Sequence, residues 1–347
     1  MDPLAHALVG AALGRAVADR HVPRAATIGI IAANAPDWAE LFLGGPKWTR
    51  AEFLLLHRGI THSLIGALVE TVALTLIIGG AWRAVRRWRA IPVPPWHWLA
   101  ACIGTAVLSH LYMDWQGSYG WRPFLPWSSQ WYYLDWVAIV DPFFWLLPLI
   151  ALAWGMERHW TPLAGMLAVG GTFTFFIIRA GSLVAVWVLI VYALLCMVAG
   201  VGWIRYWFGP VARRRAAALA LLVLAGYAIA QGVVAAGRKH GIQQIAQKRF
   251  GPDAKSAALT EVGRPFTWEA IYASADTVAG DDWQISRHLR DPRVLKAIGT
   301  PAGSAMAHFA RFLTAEVDTA EKTIYLRDAR YAREGRDGWA LLGIRMD

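Results

Sequence analysis

The sequence predicts an all-α polytopic membrane helix bundle of about six long helices plus two short ones, followed by a small extramembrane α+β domain. Three observations carry this. Of the 347 residues, 56% are hydrophobic and 17% charged, with 20 Trp and a mean hydropathy of +0.37, whereas ordinary soluble domains carry roughly 25% charged residues. The apolar residues gather into runs at about 61–81, 96–113, 137–155, 162–178, 183–204 and 216–236, each near the ~20 residues that a helix needs to cross a ~30 Å hydrocarbon core. After the last run the chain changes character: residues 1–236 hold 17 of the 20 Trp and a net charge of +7, while 237–347 balance 17 basic against 14 acidic side chains. The division therefore sets a membrane-embedded body, 1–236, apart from a polar domain, 237–347.

The elements follow in chain order. Two short stretches, about 4–18 and 25–36, are rich in Ala and Gly; at ~1.5 Å per residue they barely reach across a bilayer, and their small residues suit a closely packed hairpin. The opening MDPLAHALVG lacks the basic n-region and apolar core of a secretory signal, so it is expected to remain in the mature protein. The six long runs are the expected spans. Cys102 and Cys196 each fall inside one and are expected to be small buried hydrophobes, with no disulfide framework and no thiolate site. Beyond 236, an Ala/Gln/Lys segment near 241–249 and a stretch near 304–315 read as helices, and FTWEAIYAS, TIYLRDARY and WALLGIRM as strands.

Charge sets the expected orientation. Residues 15–24, 82–90, 156–161 and 205–215 contain twelve Arg, among them Arg87, Arg89 and Arg158; the opposite connections contain five basic residues, Lys47, Arg50, Arg58, Arg122 and Arg179. Cytoplasmic loops carry the Lys/Arg excess, so the twelve are placed inside, and eight crossings leave both termini and the 237–347 domain on the outer side. Trp82, Trp88, Trp96 and Trp98 then flank the inner ends, and Trp115, Trp131 and Trp136 the outer ones, as interfacial belts do. The net charge of +10 thus reports orientation. In the C-terminal domain RVLKAIG and YLRDARYAREGR mix both signs, which describes solvated faces, and no direct nucleic-acid binding is expected. A protein partner for 237–347 stays open.

Histidine and aspartate distribute unevenly under this orientation. His21, His97 and His159 lie at inner ends among arginines and read as interfacial, while His240, His288 and His308 share no ligand spacing. At the outer ends lie His6, His57, His62 and His110 with Asp37, Asp114, Asp135 and Asp141. Imidazoles and carboxylates gathered on one side have the composition of a metal site. In SHLYMD, His110 and Asp114 are four apart and share a helix face. In HRGITHS, His57 and His62 bracket the start of a span, with Gly59 in the entry turn.

The segments MDPLAHALVG, NAPDW, HRGITHSL and SHLYMDWQGSYGWRPFLPW…WYYLDWVAIVDP resemble the YdjM-like inner-membrane metal-dependent hydrolase family, also described as LexA-binding. The resemblance is strong over about 1–155 and looser beyond. It implies a multi-pass inner-membrane protein with a metal-hydrolase site, and a metal set of His6, Asp37, His57, His62, His110 and Asp114, with Asp141 and Asp135 as further candidates. Ala5 stands where many members have Thr, which removes a hydroxyl partner for His6.

Nitrogen and oxygen donors without thiolate favour Zn²⁺, in one or two ions, with Mn²⁺ or Fe as alternatives. The expected chemistry is attack of metal-activated water on a phosphoester or other ester of a lipid-like substrate reached from the bilayer at the outer surface. Asp135 or Asp141 is assigned as orienter or general base and Arg58 as a holder of an anionic head group, against the alternative that Arg58 meets lipid phosphate. Arg122 invites the same pair of readings. Two rival classes stay open: a transporter using Glu70, an acid inside a span, and a non-enzymatic membrane anchor or regulatory protein with a structural metal.

Overall fold

The computed structural model describes residues 1–38, 47–86, 92–156, 159–336 and 338–346. Arg87, Trp88, Arg89 and Arg158, which enter the orientation argument, lie outside the described residues. The chain forms two units. One comprises Met1–Trp38, Ile60–Val233 and Thr260–Thr267; the other comprises the described part of Ala39–Gly59 together with Val234–Leu259 and Trp268–Asp347.

The first unit is helical. Helix α1 (Pro3–Ala18) begins where Asp2 accepts hydrogen bonds from the N–H groups of Leu4 and Ala5, with Pro3 in the first turn; this satisfies donors that a helix start leaves orphaned. Helix α2 (Ala25–Asn34) runs into a 3₁₀ turn, Ala35–Asp37. The two short helices pack backbone against backbone, because Gly10 and Gly14 meet Gly29 and Ala25 with no room for a Cβ. Helix α5 (Trp96–Gln116) completes this layer, and Ala18, Ile28, Ala32, Leu99, Cys102, Ile103 and Val107 form its core. Across α1, Val9 packs with Met113, Phe144, Trp145 and Leu149.

Four helices among the described residues are long and apolar enough to cross a membrane: Leu64–Arg86, Leu163–Leu183, Val186–Ile204 and Val211–Phe250. They correspond to α4 (Leu64–Arg86), α7 (Trp160–Ala180) with its following 3₁₀ turn, α8 (Val186–Ile204) and α9 (Gly209–Phe250). Two expected spans differ. The run 96–113 is a 21-residue helix whose buried face carries His110, Asp114 and Gln116, which lowers its apolarity. In the run 137–155, helix α6 (Pro142–Trp154) has only 13 residues, because Asp141 caps it and Pro142 opens it. Cys196 is exposed on α8, unlike buried Cys102.

Helix α9 joins two elements that the sequence separates. The apolar run 216–236 and the segment near 241–249 form one 42-residue helix, since no proline lies between them and Arg238 and Lys239 favour the helix enough to carry it past Gly237. The 236/237 division therefore falls inside a helix.

The second unit contains helix α3 (Arg50–Leu56), opened by a Thr49/Glu52 capping box. Arg50 donates to the carbonyls of Gly338 and Leu341 at 2.7 and 2.9 Å. Strands β1 (Lys255–Thr260), β2 (Trp268–Ala273), β3 (Thr277–Ala279) and β4 (Gln284–Ser286) make a sheet in that order, with Thr260 itself clustering in the first unit. After helices α10 (Pro292–Ile298) and α11 (Pro301–Phe309), strands β5 (Leu313–Asp318), β6 (Thr323–Asp328) and β7 (Leu341–Arg345) form an antiparallel second sheet. The three expected strands are β2, β6 and β7. The expected helix near 304–315 stops at Phe309, and its last residues enter β5, where Thr314 and Val317 pair across a hairpin with Arg327 and Ile324. Asp328 and Arg330 form a fully buried ion pair at 2.7 Å.

Candidate metal centre

Four elements of the first unit bring five ligating side chains together. Helix α5 supplies His110 and Asp114 from its last two turns, with His110 Nε2 3.6 Å from Asp114 Oδ2. The 3₁₀ turn after α2 supplies Asp37, the turn Ile60–His62 supplies His62, and α1 supplies His6. His62 Nε2 lies 3.2 Å from Asp37 Oδ1, 3.1 Å from His110 Nε2 and 3.6 Å from Asp114 Oδ2; His110 Nε2 is also 3.6 Å from Asp37 Oδ1. Ligands at 2.0–2.2 Å from a common ion stand about 2.8–3.6 Å apart, from octahedral neighbours to a tetrahedron. The observed separations of 3.1–3.6 Å match that spacing.

Hydrogen bonds aim the rings. His110 Nδ1 is 2.7 Å from the carbonyl of Ala33; that nitrogen therefore carries the proton, and the Nε2 lone pair faces the cluster. His62 is anchored by its backbone, whose carbonyl accepts from the Trp121 indole at 2.5 Å, while its Nδ1 lies 3.1 Å from Thr61 Oγ1. Burial holds the His62 pKa down at about 4, so at neutral pH the ring is uncharged, the form that ligates. His6 stacks on His110 with ring centroids 3.8 Å apart. Among the described residues neither of its buried ring nitrogens has a hydrogen-bond partner, although Nε2 is 3.3 Å from Asp114 Oδ1. The α-amino group of Met1 also bonds Asp114 Oδ1. Buried polar groups normally find partners, and an orphaned imidazole beside a carboxylate fits an ion.

Two ligand groups emerge among the described residues, His6–His110–Asp114 and Asp37–His62–His110. Both use His110, whose Nε2 offers one lone pair to one ion. The groups are thus neighbours around a shared centre, and two complete three-ligand sites do not fit. Asp114 offers Oδ1 towards His6 and Oδ2 towards His62 and His110. Of the five, His6, His62, His110 and Asp114 are buried, whereas the Asp37 side chain is 28% exposed.

The family model of the YdjM inner membrane protein matches residues 1–208. The chain belongs to that family. No curated protein and no solved structure matches it. The YdjM match contains all five clustered residues and ends immediately before α9.

Other expected residues of the YdjM region fall elsewhere. His57 belongs to neither ligand group: it ends α3 in the second unit and stacks on Phe53 at 4.8 Å. Arg58, buried with φ of 52°, is in that same unit. Asp141 is committed to structure, with Oδ1 accepting from the Phe143 N–H at 2.9 Å and Oδ2 from the Tyr227 hydroxyl at 2.7 Å. Asp135 is buried with φ of 50° and also belongs to neither group. The Arg122 guanidinium lies over the Trp131 ring at 4.4 Å. Sequence reasoning missed the Ala33 carbonyl and Trp121. A backbone acceptor has no signal in sequence, and Trp121 is one of many aromatics in its segment.

Proposed function

We propose that this YdjM-family protein is a membrane-bound metal-dependent hydrolase acting on a phosphoester or other ester of a lipid-like substrate. The observation that carries this reading is the convergence of three imidazoles and two carboxylates at ligand spacing in a largely buried site. A divalent ion there, zinc by its donor set with manganese or iron as alternatives, supplies Lewis acidity and lowers the pKa of water. The chain's own contribution is orientation. Ala33 and Trp121 hold His110 and His62 in place, and Asp114 presents two oxygens to three histidines. Asp37, the most exposed of the five, marks the side from which water and an ester approach. The Arg distribution supports an outward-facing site and a C-terminal domain on the periplasmic side.

The test is elemental analysis of detergent-purified protein beside His110→Ala and Asp114→Asn, with hydrolysis of phosphodiester and phospholipid substrates followed in the same preparations. Stoichiometric metal and metal-dependent turnover in the wild type, both lost in the variants, are expected. Metal without turnover on either substrate class removes the hydrolase reading, and absence of metal removes the site.

A further inference from the structure

We propose that the cleft between α6, α7 and α8 in the first unit is a binding site for one lipid acyl chain. It encloses about 280 Å³ and is lined by Leu149, Ile150, Met166, Leu167, Cys196 and Trp203, among other apolar residues. Two walls belong to the membrane-crossing stretches Leu163–Leu183 and Val186–Ile204. The cleft is therefore continuous with the surface those helices present to hydrocarbon.

Its position follows from the connections within this unit. The start of α6 lies beside the start of α1, where Asp2 N donates to Ile139 O at 3.1 Å and the Trp145 indole donates to the Asp2 carboxylate. His6 sits at that same end of α1. The cleft begins at Leu146 and continues to Met156, towards the opposite end.

The cleft exists because its walls carry glycine where a side chain would fill it. A Cβ on Gly200 would meet nothing within 4 Å, and one on Gly170 would meet only Leu149 Cδ2, at 3.8 Å. The polar atoms in the lining satisfy one another: the Thr174 hydroxyl donates to the Gly170 carbonyl at 2.9 Å and lies 3.1 Å from the Tyr192 hydroxyl. The described lining residues carry no charged group, so they suit a methylene chain rather than a head group; such a chain gains about 0.8 kcal/mol per buried CH₂ only when taken from water. Within a bilayer, selection of a chain rests instead on shape and packing. This site is independent of the proposed hydrolase activity.

The test uses full-length protein in nanodiscs containing a phospholipid with a diazirine in its acyl chain, and maps photo-adducts by peptide mass spectrometry. Adducts are expected to concentrate on the cleft lining, several-fold above the exposed α4 face formed by Leu68, Val72 and Leu76. In Gly170→Leu/Gly200→Leu the cleft adducts are expected to fall about tenfold while α4 adducts stay unchanged. Equal labelling of cleft and α4 face in the wild type overturns the proposal without recourse to a variant. So does wild-type cleft labelling in the filled variant, or protein–protein cross-links at the lining, which assign the cleft to a second copy. An unchanged thermal unfolding curve in detergent shows that the variant is folded.

Discussion

Gly29→Ala tests whether the contact of α1 with α2 sets the geometry of the metal centre. An ideal Cβ on Gly29 would lie 2.7 Å from the Gly10 carbonyl carbon, nearer still to its oxygen, and 3.4 Å from Ala11 N. Ordinary contact then requires the helices to part by about 0.7 Å or more, because two backbones rather than flexible side chains meet there. Metal–ligand distances tolerate about ±0.2 Å. Helix α1 carries His6, one turn from Gly10, and α2 leads directly to the Ala33 carbonyl and Asp37. Overpacking of this kind costs about 1–3 kcal/mol, which lowers Tm by about 2–12 °C for a unit of this size. The metal Kd is expected to rise at least about tenfold, or ~1.4 kcal/mol. Thermal unfolding in detergent and metal retention against a graded chelator read the two effects. Gly165→Ala, on a helix position with nothing within 4 Å, serves as the matched control. If Gly29→Ala equals that control in both readings, close α1–α2 packing does not position the ligands.

Three further outcomes follow from particular contacts. In metal-free protein, His62 has a folded pKa of about 4 against 6.5 unfolded; the unfolded chain takes up the proton first, so stability is present above pH 6.5 and falls by about 3 kcal/mol as pH drops towards 4, and His62→Gln should flatten that slope in a pH series of unfolding curves. Asp141→Ala removes an α6 cap and leaves the Tyr227 hydroxyl unpaired, a loss of about 2–4 kcal/mol; metal stoichiometry should be unchanged, and a loss of metal would instead make Asp141 part of the centre. Arg330→Ala leaves Asp328 buried without its cation, a cost of about 3–5 kcal/mol expected to appear as selective proteolysis of the C-terminal β region while metal binding persists.

Much of the helical body was legible because its signals are local. The four described helices that are long and apolar enough to cross a membrane announce themselves as apolar runs, and His110 and Asp114 share a face simply because they are four residues apart. Where a local signal competes with a cap or a breaker the reading shifts: Asp141 and Pro142 delay α6, and the absence of a proline lets α9 run through the expected domain division. In the C-terminal domain, β5 was hidden because Thr314 and Val317 acquire their strand character from pairing with β6.

The sequence by itself determined a helical membrane body, a C-terminal α+β region and a pool of histidines and aspartates from which a site is drawn, since composition, periodicity and i,i+4 spacing act within a few turns of chain. Only the tertiary structure decided the membership of that site. It set His57 aside while bringing His62 to His110, kept Asp141 for a helix cap and Tyr227, and turned the Ala33 carbonyl and the Trp121 indole towards the ligands. These choices depend on how closely distant segments approach, and that approach is governed by the glycine contacts of α1 with α2 and by buried hydrogen bonds whose partners lie far apart in the chain.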